Sequence, residues 1–385
     1  MNPVRTRAIA GVPTIAAAAI GCLQPGIDPV FLTILTSAHG LNPDLHGWIV
    51  GATQGGMALG ALLVWRYRPV LPTLAMPLAA CIALLCSLAT AFVATFPALL
   101  ALRAAFGLMM GIVYTDAMSQ AAAQRPVAAF GAVYLIQLIL ATIVAFALPV
   151  LSDMAGARAA LLALSAAPLA AIILLLSGGT TRLPTGIATT PAEAPTPAAP
   201  AAWAYAIATF AFICATMMVW SFTGALALRS GIDEDVIGLA VALGSIIGAL
   251  TALTVMRETP FVPLPLTGLL AGVGLLSPLV LTPLRQDTPF IVAILLLNIG
   301  STAIIVRASG AAAAAGNDPL FRRFVACTHP LGMIAGPVLG SILTASSGAS
   351  GLQAGALAAI AVGCLALLIA YQRSRGPFFR QQAAA

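Results

Sequence analysis

Lysine is absent from this chain, and charge of either sign is scarce. All 17 cationic residues are arginine, acidic residues number 11, and only 7% of the 385 residues are charged. A water-soluble domain carries about 25%. With 61% hydrophobic residues, the chain has far too much apolar surface to hide in a soluble core, so it reads as an integral membrane protein. The formal charge of +6 does not suggest nucleic acid as a partner, because the arginines are scattered through short loops. The six cysteines (Cys22, Cys81, Cys86, Cys214, Cys327, Cys364) all lie inside apolar runs, and no C-x-x-C pair occurs. They read as small buried hydrophobes, which leaves no disulfide framework and no metal site. His39, His46 and His329 are scattered, and neither H-E-x-x-H nor a phosphate-binding glycine loop is found. These absences speak against ATP-driven transport and metalloprotease chemistry, and no cofactor is expected.

The N-terminus imitates a signal peptide, with Arg5 and Arg7 before an apolar stretch and a lipoprotein-like AIGC box at 19–22. The apolar run continues to about Thr36, longer than a signal's hydrophobic core, so it reads as an uncleaved first span. About 20 apolar residues cross a bilayer. That ruler predicts twelve spans, at 12–36, 47–65, 70–92, 98–121, 127–150, 158–177, 203–228, 236–256, 261–282, 289–312, 324–346 and 352–371. Pro, Gly, Asp, Asn and Arg mark the joints.

Arginine placement sets the expected orientation. With the N-terminus in the cytoplasm, cytoplasmic segments hold twelve arginines (Arg5, Arg7, Arg66, Arg68, Arg125, Arg182, Arg257, Arg322, Arg323, Arg373, Arg375, Arg380). The opposite side holds three, Arg158, Arg229 and Arg285. Both termini are therefore expected in the cytoplasm. Residues 178–202 are rich in Pro, Ala and Thr without hydrophobic period and read as a flexible linker. The expected domains are a six-helix bundle over 1–177, that linker, and a second six-helix bundle over 203–385 with a short tail. The halves are distantly alike. Residues 44–60 match 235–251 at an offset of 191, and 97–123 match 289–315 at 192.

Six helices, a central linker and six more in a parallel repeat resemble the major facilitator superfamily of secondary transporters. The closest local likeness is Arg103-x-x-x-Gly107-x-x-x-Gly111 in the fourth span. Four-residue spacing puts these on one face, where the glycines admit a neighbouring backbone. The loop after the second span, WRYRPV, keeps only Arg66 and Arg68 of the family's usual pattern. The antiporter pattern of the fifth helix occurs instead in the eleventh, as Gly332-x-x-x-Gly336-Pro337-x-x-Gly340. The resemblance implies an all-α fold of two bundles and transport by alternating access. It also implies a monomer in a bilayer, here expected to be a bacterial cytoplasmic membrane.

Charges at bilayer depth are costly and mark candidate sites. Arg103 and Asp116 share the fourth span, but 13 positions turn a helix by roughly 220° beyond whole turns and advance it about 20 Å. They cannot be partners. Asp116 falls at the depth of Arg66 and Arg68, which suggests a cytoplasmic-gate salt bridge. Asp28 lies between Pro25 and Pro29, where the helix should break. It is the candidate proton carrier, with Arg103 as partner. Arg307 in the tenth span is expected to bind an anionic group or to complete the gate with Asp318 or a helix C-terminus. Gln24, Gln54, Gln137 and Asn298 lie near the midpoints of their spans, where carboxamides can orient a polar ligand. Tyr134 and Trp220, with Tyr114, Met217, Met218 and Phe222, add adaptable apolar surface. The expected function is proton-coupled export of a small amphipathic compound, the alternative being uptake of a small organic anion held by Arg103 and Arg307. A membrane-embedded enzyme would need paired catalytic groups at one depth, and a receptor would usually add a soluble signalling domain.

Overall fold

Proline decides where the first span breaks. Pro25 has no N–H to give to the carbonyl of Gly21, and its ring crowds that carbonyl. Helix α1 (Val12–Gly21) accordingly ends at Gly21, and α2 (Gln24–His39) starts with Pro25 in its first turn, bent by 45° from α1. The break thus lies one turn before the 25–29 segment where the sequence placed it, and Pro29 sits inside α2. The same rule divides the sixth span. Pro168 cannot bond Leu164, and α7 (Ala157–Ala163) gives way to α8 (Ala166–Ser177) at that point.

The computed structural model describes residues 11–42, 45–72, 74–123, 125–177, 200–257, 262–316 and 318–374. The remaining elements of the first half are α3 (His46–Tyr67), α4 (Ala75–Thr90), α5 (Phe96–Ala121) and α6 (Pro126–Ala155). The second half contains α9 (Pro200–Arg229), α10 (Glu234–Val255), α11 (Leu264–Leu281), α12 (Asp287–Ala315) and α13 (Pro319–Ser374). Gly348, at φ 62° and ψ −147°, turns the chain within α13 and makes it two spans, a conformation that glycine adopts without strain. Among the described residues, nine helices are long and apolar enough to cross a membrane. The bent α1–α2 pair, the 16-residue α4 and the division of α13 each add one, giving twelve among the described residues. No strand is found among them. The linker read over 178–202 lies outside the described residues up to 199, and α9 already begins at Pro200.

Lipid tails are as apolar as leucine, so helices in a bilayer associate by close packing rather than by escaping water. The first bundle shows how. On α5, a Cβ at Gly107 or Gly111 would collide with the backbone of α3 at Thr53 or Met57. On α3, Gly56 and Gly60 stand in the same relation to the carbonyls of Ala104 and Leu108. Two small-residue pairs therefore interlock, and α3 and α5 touch backbone to backbone. In the second bundle Gly332, Gly336 and Gly340 seat the first half of α13 on α9, against Ile213, Cys214 and Phe222.

The two bundles meet along one half of their length. Gly55 faces Ile334, Gly131 faces Met256, Gly248 faces Leu138, and Gly310 faces Val127. Cys327 Sγ donates to the Ala61 carbonyl at 3.1 Å, and the Trp65 and Phe324 rings lie 5.6 Å apart. These contacts run from mid-depth to the end that carries Arg66, Arg68, Arg125, Arg257, Arg322 and Arg323. Toward the other end, Gly47 and Gly51 of α3, Gly224 of α9 and Gly238 of α10 border open space. The bundles are in contact at the arginine-rich end.

The interlock predicts a sharp contrast. Gly107→Ala should destabilise by about 1–3 kcal/mol, the usual effect of overpacking. Gly47→Ala, with room for the methyl group, should be neutral or slightly stabilising. Thermal unfolding of the purified protein in detergent measures both, and equal effects would contradict the packing described.

Candidate functional site

Asp28 and Gln24 are one helical turn apart on α2, so their side chains share a face. Gln24 Nε2 donates to Asp28 Oδ1 at 2.8 Å, and both residues are buried. Gln54, on α3, approaches the same carboxyl. Arg103 projects from α5 into this region and is 2% exposed. Its Nε donates to Thr53 Oγ1 at 3.2 Å, and its guanidinium lies 4.4 Å from the ring centres of both Phe31 and Phe106. A desolvated cation gains from such aromatic faces. Arg103 Nη2 has no hydrogen-bond partner. Asp28 and Arg103 interact electrostatically but form no contact ion pair. Beside Arg103 lies a cavity of about 20 Å³, bordered by Gln24, Ser87, Thr90 and Phe31 among others. That volume admits one water molecule.

The other amides divide. Gln137 of α6 accepts from Cys22 Sγ at 3.3 Å, at the break between α1 and α2. Gln24, Gln54 and Gln137 therefore gather around the broken first span. Asn298 does not join them. It donates to the Ile294 carbonyl of its own helix at 2.9 Å and faces Gly244 and Gly248 of α10. Trp220 packs against the second-bundle cluster that includes Phe290 and Ile294. Arg307 Nη1 donates to Thr267 Oγ1, which ties α12 to α11 within that bundle. Asp318 is engaged elsewhere, accepting from the Leu320 N–H at 3.0 Å. Among the described residues no three His, Cys, Asp or Glu side chains come together as a metal site would need.

At the arginine-rich end, Arg68 Nε pairs with Asp116 Oδ1, and Gln120 Nε2 donates to Asp116 Oδ2 at 2.7 Å. Arg66 lies over the ring of Tyr67 at 5.5 Å. The Arg68–Asp116 pair joins the end of α3 to α5, so it lies within the first bundle and does not span the gap. The crossing is made by Arg323 of α13. Its Nη1 donates to the Trp65 carbonyl at 3.4 Å, and it feels the charges of Asp116 and Arg68. Asp116 thus pairs with Arg68 of its own bundle and interacts electrostatically with Arg323 of the other. The sequence offered a signal for this in the Arg322-Arg323 doublet at the start of the eleventh span. His329 was also passed over, yet it is buried and bonded across the bundles to Tyr134, with Nδ1 and the phenol oxygen 3.0 Å apart.

The arrangement matches a known architecture. A crystal structure of the human organic anion transporter MFSD10 (TETRAN) superposes with a TM-score of 0.65, covering 92% of this chain and 96% of that one at 14% identity. The chain has the major facilitator fold. No family model and no curated protein matches the sequence itself. Within the major facilitator fold, the Asp28–Arg103 cluster belongs to the first bundle, and the Arg68–Asp116 pair and Arg323 lie at the arginine-rich end.

A shared counter-charge should show energetic coupling. Asp116→Asn is expected to destabilise by about 1–3 kcal/mol, as for a lost hydrogen bond to a charged group. Adding Arg68→Gln should then cost less than it does alone, because the cation no longer has a partner to lose. A double-mutant cycle read by thermal unfolding tests this, and strict additivity would contradict the pairing.

Proposed function

We propose that this chain is a secondary transporter working by alternating access, and that Asp28 couples transport to protons. The observation that carries the reading is the setting of Asp28. Its carboxyl is buried at the broken first span, bonded to an amide, and close to Arg103 without touching it. A carboxyl group fixed in a contact ion pair stays charged. One partnered by carboxamides, which both donate and accept, can be accommodated with or without its proton. Bound protons could then alter the balance between Asp28 and Arg103, and with it the packing of α2 against α3 and α5. Helix bundles that meet along one half supply the two-state element that alternating access requires. In this reading the protein is a carrier and not an enzyme. It acts as a monomer in a bacterial cytoplasmic membrane, with both termini and the closed end on the cytoplasmic side.

The substrate in this reading is a small amphipathic or weakly polar compound, moved outward in exchange for protons. Gln24, Gln54 and Gln137 would offer it polar contacts, and Tyr134 apolar surface. A second reading, uptake of a small organic anion, draws on the unpartnered Nη2 of Arg103 and on the structural neighbour described as an organic anion transporter. Arg307 contributes less to it, being tied to Thr267.

Purified protein in liposomes with an imposed pH gradient tests both. Candidate compounds that are substrates should dissipate the gradient. Asp28→Asn should abolish gradient-driven accumulation while exchange of labelled for unlabelled substrate continues. Selective loss of anionic substrates in Arg103→Ala would favour the second reading, and undiminished pH-driven accumulation in Asp28→Asn would overturn the first.

A further inference from the structure

The buried histidine lies outside the mechanism just proposed, yet it forms a polar bond between the bundles at mid-depth. His329 is on α13, whereas Tyr134 is on α6 and Tyr114 on α5. The His329 ring stands edge-on to Tyr134 with ring centres 5.5 Å apart, and 5.7 Å from Tyr114. All three residues are buried. Two residues toward the arginine-rich end, Cys327 bonds the Ala61 carbonyl of α3, again across the bundles. Pro330 follows His329 directly and removes one rung from the helix beside it, while Pro337 removes another. The part of α13 that carries these bonds is therefore less stiff than an unbroken helix.

From this geometry we infer that the Tyr134–His329 hydrogen bond is a latch of the transport cycle, and that both side chains line the aqueous pathway when the arginine-rich end opens. The inference rests on the alternating-access reading. The physical argument is one of satisfaction. A phenol and an imidazole buried at this depth need partners, and here each is the other's. Separation of the bundles at this half breaks the bond, and the two groups can then be satisfied only by water or by a passing polar solute. The bond thus favours the closed state and becomes part of the pathway wall in the other. Arg68–Asp116 cannot serve in this way, since both partners move with one bundle.

The molecule contains its own reporter. Cys327 is 0% exposed at the interface, whereas Cys86 and Cys214 are buried inside the first and second bundles respectively. Wild-type protein in detergent is treated with N-ethylmaleimide, and modification of each cysteine is followed by peptide mass spectrometry. Tyr134→Phe, which deletes the hydroxyl and keeps the ring, should speed modification of Cys327 by roughly fivefold, the population shift expected from one lost hydrogen bond. Cys86 and Cys214 should keep their wild-type rates. His329→Leu should act like Tyr134→Phe and carries the test if that variant folds poorly. His329→Asn, which places an amide oxygen near the position of Nδ1, should restore much of the protection. An unchanged Cys327 rate in both bond-deleting variants overturns the inference. So does a rise shared equally by all three cysteines, which would mark general loosening. Failure of transport in liposomes together with a selective Cys327 response would sink the transporter reading, and with it the latch's place in a transport cycle, leaving the bond only as a contact that holds the bundles together. Transport with Cys327 still protected would remove the latch alone.

Discussion

A guanidinium group cannot be left bare in hydrocarbon, and the first bundle is organised around that constraint at Arg103. The side chain is enclosed by Phe31 and Phe106 and bonded to Thr53. It can be enclosed this way because α3 and α5 approach closely enough to exclude lipid. That approach in turn requires glycine at four positions, Gly56 and Gly60 on one helix and Gly107 and Gly111 on the other. The motif that places the charge also places the small residues that seal it. Asp28 then completes the region without a contact ion pair to Arg103, which leaves a buried polar cluster held in place by hydrogen bonds.

The second bundle solves the same packing problem with less charge. Its intramembrane cation, Arg307, is held by a threonine hydroxyl of the neighbouring helix, and its glycine series seats α13 on α9. The same stretch of α13 carries Arg323, Cys327 and His329 toward the first bundle. One helix segment therefore supplies much of the closure. Its prolines, Pro330 and Pro337, remove two rungs from its own hydrogen-bond ladder.

The spans were legible in the sequence because bilayer thickness fixes the length of an apolar run, whatever the helix later packs against. The Arg103-x-x-x-Gly107-x-x-x-Gly111 face was legible because helical spacing alone defines a face. Partners were harder to read. Spacing shows that Gly107 admits a neighbour, but not that the neighbour is α3 with Gly56 and Gly60 of its own. Sequence position sets how far along their helices Arg307 and Asn298 lie, yet rotation about the helix axis gave one to Thr267 and the other to its own backbone. The break in the first span was displaced by a turn because proline acts on the carbonyl four residues before it. His329 was passed over because it is isolated in sequence, and its two tyrosines come from helices some 200 positions away, at separations such as 195 residues.

Alternating access in this fold requires the two bundles to rock, one end opening as the other closes. Pulsed electron–electron resonance measures this directly, with spin labels at Tyr67 and Leu320 across the arginine-rich end and at Trp48 and Leu339 across the other. All four positions are exposed. The account predicts that each label pair gives a short and a long distance, with the populations of the two ends moving in opposite directions as pH or added substrate changes. A single fixed distance at both ends under every condition would contradict it.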